Sequence, residues 1–324
     1  MSELLLSPCI HELVEHSGKE IVAQFRISGC QAWSRSHHQR GAKLLLEDAS
    51  GVTAAAVPAR FVAELMQGQP EFVLVSADVV MFDGRPLLNV NSLEVLQPAE
   101  LFSGAALLPY RRCPAVARQA LAELIAFEQS LPDALQHFLR DVLADSRIGL
   151  PLLDCRASVS HHHSFQGGLL VHSMQLLGEA GRLASTALPN EPLAAPVTQL
   201  GYLLHDLGKI RSVGTAQRPW PGNDIQHEVS TLMLLDPHLQ TLHARDPAAA
   251  AALAYILGYV ATPRELRRHA RFLGAEIVVF LDQLSVAAER DRDIDAVTRR
   301  HSVVTPISAA NDPSRRSLDH GRTL

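Results

Sequence analysis

Residues 201–210 read GYLLHDLGKI, a His-Asp pair inside an apolar run. No other stretch restricts the fold as tightly. Leu203, Leu204, Leu207 and Ile210 fall at the spacing of a buried helix. An ionised Asp206 on such a helix is costly unless it is paired or holds a metal. Side chains of adjacent residues diverge by about 100° around a helix. His205 and Asp206 can still both reach one ion lodged between that helix and a neighbour. Lys209 lies one turn on from His205, on the same side, where an anionic ligand of the ion would sit. The chain must therefore bury this segment among elements that satisfy the carboxylate. For a pair standing alone, a core histidine hydrogen-bonded to a buried aspartate would suffice.

The pair does not stand alone. His172 lies in HHHSFQGGLLVHS (161–173), just after a Gly-Gly helix start, His227 lies in IQHEVSTLMLL, and Asp282 lies in EIVVFLDQLSVA. Each sits on a segment that reads as an apolar helix. This H…HD…D order resembles the HD-domain metal-dependent phosphohydrolases. The resemblance implies that His172, His205, Asp206 and Asp282 bind one divalent metal, and His227 is carried as a further ligand candidate. The HH…GGL..H…HDLGK…H arrangement is similar in particular to the HD domain of bacterial OB-plus-HD 3′-to-5′ exoribonucleases (the YhaM type). It is also similar to the HD domain of TraI-type relaxases of integrating elements. The likeness covers roughly residues 115–290. Both families carry a histidine run before the Gly-Gly, here His161, His162 and His163. Where the exoribonucleases carry Ser-His-His, this chain has Gly258, Tyr259 and Val260 in ILGYVATP. Tyrosine is a poor substitute for an imidazole ligand and valine cannot bind a metal. His269, in RRHARF, reads as a surface histidine.

A His/Asp site with open positions suits Mn²⁺, Fe²⁺ or Co²⁺, with Mg²⁺ and Zn²⁺ also compatible. Such an ion makes hydroxide available near neutral pH and polarises a phosphoryl oxygen. Lys209 and the His161–His163 run are the candidates to neutralise non-bridging oxygens or protonate a leaving group.

A chain of 324 residues has room for two domains. No apolar run reaches the roughly 18 residues that span a bilayer. The start, MSELLLSPCIHELVEH, has no basic region or long apolar stretch of a signal peptide. Cys9, Cys30, Cys113 and Cys155 have no CxxC spacing and read as free thiols. A cytoplasmic protein without a membrane partner is expected. The net charge of −5 means that any nucleic-acid contact uses a local basic patch.

Residues 1–98 read as an OB-like β-barrel. Strands are expected at 20–32, 42–51, 52–60, 71–82 and 86–96, with a short helix at 61–69 between the third and fourth. Asp83-Gly84 is a strong hairpin signal. Three strands, a helix and a two-strand hairpin is the element order of the five-stranded Greek-key OB-fold. Such folds bind oligonucleotides through the loop between strands 1 and 2 and that between strands 4 and 5. The first loop here holds Trp33, Arg35, His37, His38, Arg40 and Lys43. The second holds Phe82 and Arg85. An aromatic beside basic groups suits a single strand of RNA or DNA. Against a broad basic face, residues 1–100 carry seven Lys/Arg and twelve Asp/Glu. Packing on the other domain, or self-association, is the competing role for the barrel.

Pro98, Gly104 and Pro109 mark 99–113 as a linker. An all-α HD domain is expected over 114–299, with helices at 114–130, 131–146, 168–186, 196–211, 225–235, 246–260, 263–271 and 274–290. RPWPGND (218–224) is a loop whose Trp220 could stack on a base, and 300–324 reads as a disordered tail. The multidomain reading is thus a metal-dependent phosphodiesterase that receives single-stranded nucleic acid from the barrel, with 3′-to-5′ polarity implied by the resemblance alone. Two alternatives stand beside it. One is a nucleic-acid-binding accessory protein with a structural or degenerate metal site. The other is a nucleotide phosphohydrolase.

Overall fold

The computed structural model describes residues 8–36, 39–160, 163–214 and 225–301, with side chains described outside 33–40 and 288–301. The chain divides into two units, Met1–Ser285 and Val286–Leu324. In the second, residues 286–301 continue a helix, and the tail expected from 300 falls almost wholly outside the described residues. The barrel and the candidate metal residues belong to the first unit.

Its N-terminal part is five strands, β1 (Glu20–Ser36), β2 (Gln39–Glu47), β3 (Val52–Pro58), β4 (Phe72–Phe82) and β5 (Arg85–Leu96), with helix α1 (Val62–Gly68) between β3 and β4. They close into a barrel in the order β1-β2-β3-β5-β4. Side chains alternate across a strand, and the inward set is apolar: Ile21, Ala23 and Phe25 on β1, and Val73, Val75, Ala77 and Val79 on β4 are all buried. Asp83 (φ 48°) and Gly84 (φ 73°) both take left-handed backbone, as an Asp-Gly hairpin turn requires. The element order matches the OB-like expectation. One part differs. The expected loop at 33–43 is largely paired strand, with Trp33 opposite Gly41 and Ser34 opposite Arg40. β1 runs antiparallel to both neighbours, so the 82–85 turn lies beside its start while residues 33–43 lie at its far end.

Residues 99–113 are packed rather than loose. Ala49 N donates to Ala106 O (2.8 Å) and Tyr110 N to Asp48 O (3.1 Å). Buried Arg26 donates through Nε to Leu107 O (2.8 Å). The Glu128 carboxylate accepts from Ser103 Oγ, Gly104 N (2.9 Å) and Ala105 N (3.2 Å). Leu101 and Leu107 share a small core with Phe72 and Leu96 of the barrel and Ala144 of the helical part.

The helical part comprises α2 (Arg118–Ser130), α3 (Asp133–Ala144), α4 (Gly149–Asp154), α5 (Gly168–Gln175), α6 (Leu177–Ala187), α7 (Ala194–Leu204), α8 (Lys209–Ser212), α9 (His227–Arg245), α10 (Pro247–Ala261) and α11 (Leu273–His301). Asp246 caps α10 by accepting from Ala249 N, and Pro247 follows at a first-turn position. The helix expected at 225–235 runs on to Arg245 and that at 274–290 runs to His301, and three others break or shrink. The 168–186 segment breaks at Leu176 (φ −120°, ψ 20°). The break leaves His172 O within 3.5 Å of the Tyr202 hydroxyl. The 196–211 segment breaks after Leu204, so the His-Asp pair sits in a turn. The 263–271 segment is only a 3₁₀ turn at Arg264–Leu266. There the Arg267 side chain takes up backbone carbonyls, Nε donating to Thr262 O and Nη2 to Val260 O, each at 2.7 Å. Among the described residues no helix is long and apolar enough to cross a membrane.

Candidate metal centre

The turn that ends α7 is built by close approach. A Cβ on Gly208 would lie 1.8 Å from His227 O, so only glycine lets this turn pack on the start of α9. Gly208 N donates to Thr231 Oγ1 (2.8 Å), and the same oxygen lies 3.1 Å from His205 O. The backbone of the His-Asp pair is thereby tied to α9. Stacking on Tyr202 (ring centroids 5.5 Å apart, 29° between planes) sets the plane of the His205 ring. Nδ1 of His205 lies 2.6 Å from Tyr202 O and must carry the proton there. Its Nε2 is then the nitrogen left to face the cluster, as a proton carrier or as a lone-pair donor to a metal.

That nitrogen points into a cluster. Nε2 of His205 is 3.4 Å from both Asp206 Oδ2 and Asp282 Oδ1. His172 Nε2 is 3.2 Å from Asp206 Oδ2 and 3.7 Å from Asp282 Oδ1. One donor atom from each of His172, His205, Asp206 and Asp282 lies within 4.8 Å of the other three. α5, the turn after α7, and α11 supply one face each. His172, His205 and Asp206 are buried. The buried His205 Nε2 makes no well-aligned hydrogen bond among the described residues. Two carboxylates and two imidazoles of this kind fit a divalent cation.

The electrostatics state the same demand. Burial alone would push Asp206 up. His205, Lys209 and contacts from His172 and His227 outweigh burial and hold it well below the carboxylate range. Burial alone would push His205 down, yet Asp206 and Asp282 carry it up to about 9. A proton on His205 meets the demand of the carboxylates for positive charge, and a divalent ion would compete with it.

The other candidates divide. Lys209 Nζ contacts Asp206 Oδ2 at 2.5 Å, on the carboxylate itself, rather than facing an open anion position as the helical spacing suggested. His227 Nε2 lies 3.1 Å from Asp206 Oδ1, outside the four-atom cluster, and its Nδ1 is 3.4 Å from Glu228. His163, at φ 50°, places Nε2 3.1 Å from Gln175 Oε1 and its ring centroid 5.7 Å from that of His172. His161, His162, His37, His38 and Trp220 lie outside the described residues, as do the side chains of Trp33, Arg35 and Arg40. Lys43 and Arg85 are exposed, and Phe82 is 68% exposed. His269 is exposed.

The sequence reading missed several neighbours. Buried Ser285 sits 3.4 Å from His172 Nδ1 and donates to Gln175 Oε1 (2.9 Å). Tyr202 and Thr231 fix His205 from either side. A pocket of about 200 Å³ opens on the cluster, walled by Val260, Arg264, Arg267 and Gln283 beside His205, Asp206, His227 and Asp282. Each of Ser285, Tyr202 and Thr231 is a single polar residue on an otherwise ordinary helix, a pattern that carries no signature in the sequence.

No family model matches the chain. It is similar to the 3′-5′ exoribonuclease YhaM of Bacillus licheniformis, 25% identical over 176 residues, 52% of this chain and 52% of that protein. It is similar also to the 3′-5′ exoribonuclease YhaM of Bacillus velezensis, 24% identical over 210 residues, 63% of this chain and 62% of that protein. The chain thus matches little more than half the length of these curated relatives. Among solved structures it aligns with replication protein A of U. maydis bound to ssDNA, at 10% identity and a TM-score of 0.21, over 38% of this chain and 88% of that one. At that score the alignment carries no argument.

Proposed function

We propose that this protein is an HD-type metal-dependent phosphodiesterase that hydrolyses single-stranded nucleic acid. The observation that carries the reading is the cluster of His172, His205, Asp206 and Asp282, the first three of them buried, with His205 Nε2 presented and its ring locked. The similarity to two 3′-5′ exoribonucleases supports the substrate class and, more distantly, the polarity. In this reading the barrel, residues 1–98, presents the strand through Lys43, Phe82 and Arg85, together with Trp33, Arg35 and Arg40. The helical region, 114–299, carries the chemistry.

A divalent ion held by the four residues would supply a nucleophile from water near neutral pH and withdraw charge from the phosphoryl group. Tyr202 O holds the His205 tautomer, and Ser285 steadies His172. Lys209 balances the charge of Asp206. His227 bridges Asp206 and the pocket, within reach of a leaving oxygen as a proton donor. His163 abuts the His172 ring, and with His161 and His162 it is the candidate of the histidine run for contact with substrate phosphate.

One observation favours a second reading, an accessory module with a structural ion. Val260 forms the pocket wall as an apolar surface. The neighbouring Tyr259 hydroxyl is spent on Glu276 (2.6 Å) and Arg268 O (2.9 Å). Metal content and oligonucleotide cleavage, measured together on wild type and Asp206→Ala, separate the two. The phosphodiesterase reading expects about one transition metal per chain, cleavage of labelled RNA or DNA in Mn²⁺, and loss of both in the variant. Cleavage that survives Asp206→Ala would defeat it. Metal bound without cleavage of oligomers or nucleotides would favour the accessory module.

A further inference from the structure

We infer that Arg264 is a substrate-phosphate contact of this site, gripping a backbone phosphate of the strand beside the metal set; the inference rests on the phosphodiesterase reading above. Among the described residues, four positively charged or chargeable side chains stand near the carboxylates outside the ligand set: Lys209, His227, Arg267 and Arg264. Lys209 is committed to Asp206. His227 lies between Asp206 and Glu228. Arg267 is committed to the backbone, bridging Thr262 O and Val260 O, with its guanidinium 5.8 Å from the Tyr259 ring centre. Arg264 lines the same pocket as His205, Asp206 and Asp282. Its side chain is exposed and forms no ion pair or hydrogen bond with any described residue.

The backbone beneath it is held in place. Arg267 pins carbonyls 260 and 262, Thr262 Oγ1 donates to Gly258 O (2.9 Å), and Leu266 N closes the 3₁₀ turn on Pro263 O (2.9 Å). Arg264 thus projects from a fixed turn at the pocket wall. A phosphodiester approaching Asp206 and Asp282 brings negative charge toward negative charge. The metal offsets that at the reacting group, and a cation on the facing wall offsets it for the remaining phosphate oxygens. A planar guanidinium matches two phosphate oxygens at once, which a lysine ammonium does not. The contact is to the backbone, so it selects for a polyanionic strand and not for a base.

The test uses the full chain with Mn²⁺ and a fluorescent hexanucleotide whose linkages are phosphorothioates, read by anisotropy over a salt series, with metal content measured on each sample. Arg264→Ala is expected to bind about tenfold more weakly. Its log Kd against log salt should be shallower by about 0.7, the share of one phosphate on a single strand. Arg264→Lys should recover the slope and only part of the affinity. Metal content should stay at the wild-type value in both. Wild-type affinity and slope in Arg264→Ala, with the wild type binding normally, would overturn this inference and leave the phosphodiesterase reading standing. A wild type that holds no metal, or holds it without binding the oligonucleotide, would overturn both.

Discussion

His205 has one ring and two fixed edges. Its Nδ1 is spent on Tyr202 O, so only Nε2 is left to face the carboxylates. An ionisable pair in an apolar run must be answered by a partner, so this residue was legible in the sequence. Ser285 and Gln175 were not, because a single polar residue on an ordinary helix carries no such demand. Glu128 shows the same physics away from the site. It is fully buried and accepts from Ser103, Gly104 and Ala105. Burial outweighs those hydrogen bonds and pushes its carboxyl above 4.5. The folded state therefore holds the proton more tightly than the unfolded state. Between the two values the unfolded chain binds fewer protons, so this group's contribution to stability falls as pH rises. Urea unfolding of wild type and Glu128→Gln from pH 5 to 8 isolates it. The wild type should lose stability relative to the variant as pH rises. A constant difference across the range would mean that the hydrogen bonds, not burial, set the balance.

Helix periodicity located most elements and misjudged their ends. The Leu203–Ile210 pattern reads as one helix, yet the chain turns after Leu204. The cause is a contact with no periodic signature: Gly208 lying against His227 O. Likewise Arg267 spends its side chain on carbonyls 260 and 262 and replaces the helix expected over 263–271. The strand alternation on β1 and β2 was plain, but the polar tip 33–43 read as loop because its pairing is backbone pairing. Gly208→Ala is therefore expected to destabilise by about 1–3 kcal/mol and to lower metal content, since the turn that carries Asp206 must move. Gly178 of α6 is the control, with nothing within 4 Å of an added Cβ. Gly178→Ala should be neutral or stabilise by up to about 1 kcal/mol through lower helix entropy cost. Thermal melts and metal analysis of both variants check this. Equal melting temperatures for the two would remove the close-approach argument.

At the scale of the molecule, the segment expected to be a linker joins the barrel to the helices. Buried Arg26 reaches Leu107 O from the barrel, Arg140 reaches Leu101 O (3.3 Å) from α3, and Phe72, Leu96, Leu101, Leu107 and Ala144 share one core. Pro and Gly in 99–113 mark irregular backbone correctly, but irregular backbone can be buried when side chains satisfy it. Opening the barrel would strip partners from α3, and the reverse holds too. The two parts should therefore unfold together. Hydrogen exchange read by mass spectrometry in rising urea should remove protection from β4 and α3 peptides at one concentration. The thiols give an independent reading at pH 8. Cys30 is exposed and should react with a thiol reagent in the native protein. Cys113 and Cys155 are buried, and burial pushes the Cys155 thiol up to about 12. Both should stay silent until that same transition, because reaction needs the thiolate and access. Barrel peptides that open at lower urea, with Cys155 still protected, would mean that 99–113 is a hinge between independent domains. The path of a strand from barrel to metal set would then vary with that hinge.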